Sequence, residues 1–138
     1  MIRRAVPADL SALLPLVREF YEVDRHHYDE AVVTAALEPL LADDRYGQVW
    51  LFDTGYAVLT WGYSLESGGR DALLDEFFVQ GRGRGTGAVV IAELVAAARA
   101  AGARKLFLET EEPNDAARRF YRRHGFTDEH STWLSQEL

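Results

Sequence analysis

The sequence predicts an α/β protein built on a mixed, mostly antiparallel twisted sheet of six to seven strands, with a parallel pair in the C-terminal half and helices on both faces. Three observations carry this expectation. Apolar residues recur at helical spacing in the first 42 positions. Three consecutive strand-like segments separated by short turns follow, which is the pattern of an antiparallel meander. After Val79 the texture changes to strand–loop–helix–strand–helix–strand, which calls for a parallel pairing and helices on both sides of the sheet.

Residues 2–5 are expected as a short first strand, and Pro7-Ala8-Asp9 as a helix start, because proline and an acidic residue suit a first turn. Leu10, Leu13, Leu14, Val17 and Phe20 continue that helix to about residue 22. A second helix is expected over 29–42, with Val33, Leu37, Leu40 and Leu41 inward. Gln48 to Phe52 reads as a strand, Asp53-Thr54-Gly55 as a hairpin turn, and Tyr56 to Leu65 as the returning strand. Gly68-Gly69 makes the next turn, and Asp71 to Val79 the third strand. A helix over about 86–101 presents Val90, Ile91, Leu94, Val95 and Ala98 on one side, and Gly102 is placed to end it. Lys105 to Glu109 is expected as a buried strand. A helix then runs from Pro113-Asn114 to about Arg123, and Gly125-Phe126 and Ser131 to Leu134 are expected as the last strands.

The 138 residues suffice for one domain with a genuine core. Hydrophobic residues make up 48% and charged residues 27%, and no apolar run approaches the roughly 18 residues of a membrane span. The start of the chain lacks the apolar segment of a secretory signal, so a cytoplasmic location is expected. Cysteine is absent, which removes disulfides, thiolate metal sites and a cysteine nucleophile. The net charge of −7 argues against nucleic acid as a partner. Its distribution is uneven: Arg82 to Arg123 holds nine basic and five acidic residues, a local +4 that leaves −11 on the rest. Such a field suits an anionic ligand on the C-terminal half and a cationic one elsewhere.

The stretch Gln80-Gly81-Arg82-Gly83-Arg84-Gly85-Thr86-Gly87-Ala88 follows a strand and opens a helix. Glycines there admit a ligand close to the backbone, and free helical N–H groups favour phosphate. The Gly-Lys-Ser/Thr ending of a P-loop is missing. A dinucleotide fingerprint is a competing reading, since Gly83-x-Gly85-x-x-Ala88 has its spacing and Glu109 lies about twenty residues on. Against it, the motif sits past mid-chain and the strands before it read as antiparallel.

Arg82-x-x-Gly85-x-Gly87 matches the Arg/Gln-x-x-Gly-x-Gly/Ala signature of the GNAT N-acetyltransferase superfamily, and Asn114-x-x-Ala117-x-x-Phe120-Tyr121-x-x-x-Gly125-Phe126 resembles the C-terminal motif of the same family. Asp75-Glu76-Phe77-Phe78-Val79 is similar to the corresponding strand of polyamine acetyltransferases. The loop from Val79 to Arg82 is shorter than family members carry, and Gln80-x-x-Gly83-x-Gly85 offers a second register for the phosphate-binding turn.

The resemblance implies the GNAT fold, acetyl-CoA as co-substrate, no metal, and direct attack of a primary amine on the thioester. Phe78, Val79, Arg82, Gly83, Arg84, Gly85, Thr86, Gly87, Ala88 and Asn114 would bind acetyl-CoA. Backbone N–H groups near Phe78 and Val79 would polarise the acetyl carbonyl, and Tyr121 would be the general acid. An ammonium cannot attack until it loses a proton, so a carboxylate is needed. Asp75 and Glu76 are the candidates, on opposite faces of one strand unless a bulge exchanges them. Asn114 could also cap the helix that follows it. A non-catalytic, CoA-binding regulatory domain is the alternative to an enzyme.

The acidic residues Glu19, Glu22, Asp24, Asp29, Glu30, Asp43, Asp44 and Glu66 could attract a polycationic acceptor, with Trp61 and Tyr63 available to stack on it. His26 and His27 follow Glu22 and Asp24 on the expected acceptor side, whereas His124 and His130 read as structural or exposed. No His, Asp and Glu spacing argues for a metal, no membrane is implied, and a homodimer is suggested by the resemblance alone.

Overall fold

A computed structural model describes residues 2–81, 85–111 and 114–138. The first strand, β1 (Ile2–Arg4), leads through a single 3-10 turn (Pro7–Asp9) into α1 (Leu10–Asp24), so the helical start expected at Pro7 is a tighter turn feeding the α-helix. Asp9 ties that turn down, accepting the Val6 N–H at 2.8 Å and pairing with Arg3. Helix α2 (Glu30–Ala42) is capped by the Asp29 carboxylate, which accepts from the N–H groups of Ala31 and Val32.

The meander follows as β2 (Gly47–Phe52), β3 (Gly55–Ser64) and β4 (Gly69–Val79). Then come α3 (Thr86–Ala100), β5 (Leu106–Phe107) and α4 (Asp115–Arg123). The strand order is β1-β2-β3-β4-β5, antiparallel throughout except for the parallel β4–β5 pair. Four antiparallel strands are the wrong sheet for a dinucleotide fold, which removes that competing reading.

The sheet separates two cores. On one face Leu13 and Val17 of α1 and Val33, Leu37 and Leu41 of α2 pack against Val49, Tyr56, Val58 and Phe78. On the other, Val90, Ile91, Leu94 and Ala98 of α3 pack against Ala57, Leu59, Ala72 and Leu74. The expected helices on both faces are therefore present.

Strand β4 changes faces partway along. Leu59 pairs with Leu74 but its neighbour Val58 pairs with Glu76, so Asp75 is an extra residue opposite a gap. Before this bulge Ala72 and Leu74 point to the α3 core; after it Phe78, two residues beyond Glu76, points to the α1–α2 core.

The described residues form five strands, fewer than the six to seven expected. The strand read at 105–109 shrinks to Leu106–Phe107, because its parallel ladder ends at the pairs Ala72↔Leu106 and Leu73↔Phe107, just before β4 bulges away. Gly125-Phe126 and Ser131 to Leu134 are not strands. Their propensity finds no neighbouring ladder to pack on, and Trp133 and Leu134 are exposed. Side chains hold the start of the tail instead: Asp128 to Arg122, Glu129 to Lys105, and Phe126 against the α3 core.

Candidate active site

Where the β4–β5 ladder stops, β4 and the chain after β5 part and leave a cleft of about 300 Å³. Asp75 and Phe77 line one wall, Leu108 to Glu111 the other. The end of α1 closes one side with Phe20, Asp24 and His26, and α4 closes another with Asn114 and Tyr121. The sequence-matched Asp75, Asn114 and Tyr121 thus share one cavity. Glu109, Thr110 and Glu111 also line it. They escaped sequence reading because they were expected to continue a buried strand or a loop.

The two candidate carboxylates have different surroundings. Asp75 sits at the bulge, open to the cleft, and partial desolvation pushes its carboxyl above the usual range. Glu76 turns to the α1 side, where Tyr21 donates its hydroxyl to Oε2 and Tyr56 donates to Oε1, both at 2.6 Å. Burial pushes the Glu76 carboxyl up, and the two donors oppose that by favouring the ionised form. Both phenols are pushed up in turn, first by burial and then by the neighbouring carboxylate. Asp75 is the freer of the two carboxylates.

Tyr121 is on α4, half-buried between Phe120 and Phe126 with ring centroids 5.2 and 5.7 Å away. Desolvation pushes its phenol up to about 12. It therefore stays protonated across any working pH. That also widens its gap from a thiol near 8.5, so its hydroxyl is better suited to donating a hydrogen bond than to surrendering the proton outright. Asn114 does cap α4, its Oδ1 accepting the Ala117 N–H at 3.0 Å.

Helix α3 begins at the glycine-rich stretch. Gly85 is its N-cap at φ +73°, a left-handed conformation that glycine adopts without strain, and among the described residues no side chain caps the first turn. The first N–H groups of α3, from Thr86, Gly87 and Ala88 onward, are thus left for a ligand. Gly87 also lets α4 approach, since a Cβ there would lie 3.2 Å from the Phe120 ring. Arg82, Gly83 and Arg84, and with them the choice of register, lie outside the described residues. A glycine-capped helix start lying against Phe120, next to Tyr121 of the cleft, fits an elongated pyrophosphate-bearing thioester such as acetyl-CoA.

Of the eight N-terminal acids expected near a cationic acceptor, only Asp24 lines the cleft. Asp29 caps α2, Asp44 pairs with Arg4, and Glu19 accepts from the Gln80 amide. Trp61 lies elsewhere, stacked under Arg70 at 5.4 Å in a groove of about 380 Å³ that also includes Trp50 and the end of α3. Tyr63 is exposed. His26 does reach the cleft, with Nε2 3.0 Å from Asp24 Oδ2, and these two with Glu111 bring their ligand atoms within 4.8 Å of one another. His124 packs on Phe120. No helix among the described residues is long and apolar enough to cross a membrane.

A profile of the acetyltransferase (GNAT) family matches residues 10–126. Among solved structures, an integron cassette protein from the mobile metagenome of Cole Harbour Salt Marsh is 31% identical. It superposes with a TM-score of 0.87, covering 99% of this chain and 90% of its own. A protein from Arthrobacter sp. FB24 named as an acetyltransferase is 28% identical at TM-score 0.87, with 100% and 96% of the two chains covered. An aminoglycoside acetyltransferase from an uncultured soil metagenomic sample, solved with sisomicin, shares the fold at 19% identity and TM-score 0.80, covering 100% and 95%. No curated protein sequence matches. By profile, by fold and by the motifs around Gly85 and Tyr121, the chain belongs to the GNAT family of acetyltransferases.

Proposed function

We propose that the protein, as one domain spanning residues 1–138, transfers the acetyl group of acetyl-CoA to a primary amine by direct attack in a ternary complex. The observation that supports the reading is the cleft lined by both Asp75 and Tyr121, with Gly87 at the start of α3 lying against Phe120, the neighbour of Tyr121. Asp75 takes the proton from the acceptor ammonium, and the freed nitrogen forms its bond to the thioester carbonyl carbon. The C–S bond then breaks, with the departing sulfur accepting a hydrogen bond from the Tyr121 hydroxyl. The attacking nitrogen, still carrying a surplus proton, releases it as the amide forms and the thiolate takes it up, while the proton held by Asp75 passes to water.

The alternation of the β4 ladder gives the carbonyl its donor. Gln80 N–H bonds the Thr54 carbonyl of the neighbouring turn, so the N–H of Val79 is directed away from β3, to the cleft side, and that of Phe78 toward β3. Val79 is therefore the better of the two expected amides. The pyrophosphate rests on the first turn of α3, and Asn114 receives the pantetheine arm.

The lining supports a small polycationic acceptor. Asp24, Asp75, Glu109 and Glu111 face the cleft, and no described lysine or arginine does. The same reading takes the protein as cytoplasmic and homodimeric.

A thiol-release assay with acetyl-CoA and a panel of mono- and polyamines tests the proposal. Turnover with polyamines above monoamines is expected, and no release with any amine contradicts it. Replacing Gly85 by valine forces a β-branched residue to the φ of +73°. The KM for acetyl-CoA is expected to rise about tenfold with the acceptor KM unchanged, in line with the strain such a position stores. Initial-rate kinetics with each substrate varied in turn check it.

A further inference from the structure

Glu76 is a half-buried carboxylate for which the reaction above has no use, and no described lysine or arginine forms an ion pair with it. Its two oxygens are taken by neutral hydroxyls from different elements, Tyr21 on α1 and Tyr56 on β3. The carboxylate therefore joins three elements at one point, directly after the bulge residue Asp75. A half-buried carboxylate held by two short hydrogen bonds is costly to disturb, which gives the joint a definite geometry.

Tyr21 also sits at the centre of the acceptor wall. It follows Phe20 and precedes Asp24 by less than one turn, and both of these line the cleft. Its carbonyl accepts the His26 N–H at 2.9 Å, where Arg25 at φ +58° turns the chain out of α1. Its ring lies edge-on to those of His26 and Tyr28, with centroids 5.9 and 6.0 Å away. A displacement of Tyr21 would carry Phe20, Asp24 and His26 with it.

We infer that Tyr21 and Tyr56 are positioning residues, which fasten the end of α1 to β3 and β4 through Glu76 and so hold the acceptor wall against the bulge that presents Asp75. The inference rests on the acetyl-transfer reading for its kinetic consequence. Its mechanical part, the tie between α1 and the sheet, does not. Packing alone would survive loss of a hydroxyl, because the tyrosine rings stay in place. The tie would not.

The test uses the full chain with Tyr21→Phe, Tyr56→Phe and Glu76→Gln. Amide hydrogen exchange of the segment 20–28 is measured alongside steady-state kinetics with an amine that the wild type acetylates. Either phenylalanine variant is expected to speed exchange across 20–28 and to raise the acceptor KM about tenfold, the scale of one hydrogen bond to a charged group. The KM for acetyl-CoA stays within about twofold, because neither of the two lost hydrogen bonds involves the first turn of α3. Glu76→Gln keeps one acceptor and gains a donor for the two hydroxyls, so it is expected to retain slow exchange and most of kcat.

The inference is overturned if exchange is unchanged in both phenylalanine variants. It also falls if exchange quickens but the acceptor KM does not move, or if Glu76→Gln abolishes kcat, which would make Glu76 the base. Should the wild type acetylate no amine, the acetyl-transfer reading fails, while the exchange comparison still decides whether the tie exists.

Discussion

Replacing Asp75 by asparagine is expected to lower kcat/KM for the acceptor about a thousandfold at neutral pH, within the range that a lost general base costs. Asparagine keeps the size of the side chain and the bulge, so the change isolates proton removal from shape. The pH profile provides the sharper signature. Desolvation raises the Asp75 carboxyl, so the base is protonated and idle up to a pH above the ordinary aspartate range. In the wild type kcat/KM should therefore climb as pH rises through that raised value and level off beyond it. In Asp75→Asn that limb should vanish. The sign for stability is opposite to the sign for activity. Because the folded state holds the Asp75 proton more tightly than the unfolded chain, stability falls as pH rises through the window between the two values. Asp75→Asn should consequently be no less stable than the wild type at neutral pH, which thermal melts at several pH values will show.

Replacing Tyr121 by phenylalanine is expected to lower kcat about a hundredfold, the lower end of what losing one hydrogen-bond donor to developing charge costs. The ring contacts with Phe120 and Phe126 survive the change, so α4 should keep its place and acetyl-CoA its affinity. The phenol is held neutral up to about 12. The donor therefore does not titrate, and the loss should be the same at every pH at which the wild type works. A Tyr121 that merely packed would leave kcat intact. Steady-state rates across pH, with acetyl-CoA binding measured by calorimetry, separate the two cases.

Much of the fold was readable because local chemistry and tertiary packing agree there. Helix α2 forms within a residue of the span its apolar spacing marks, with Asp29 capping its start, and the turns at Asp53-Thr54 and Gly68 fall between the expected strands. The pairing of Asp75 with Tyr121 across one cleft followed from motifs that are each local, and the structure brings them together.

What could not be read depended on register. The bulge at Asp75 is one residue of offset, and no residue type announces it, yet it decides which carboxylate faces the cleft. It also ends the parallel ladder early, which turns Leu108 and Glu109 from the end of an expected strand into part of a cleft wall. Tyr21 and Tyr56 belong to no motif, and their hydroxyls acquire meaning only once Glu76 turns toward them. The strand expected at Ser131 to Leu134 pairs with no described strand.

The arrangement on which the assignment depends is a thioester held from the first turn of α3 into the cleft at Tyr121. Backbone amide NMR shifts on adding CoA test it most directly. The account predicts shifts concentrated at Gly85 to Ala88, at Val79, and at Asn114 and Tyr121. Shifts confined to the distant groove at Trp50 and Trp61, or no shifts at all, would contradict it.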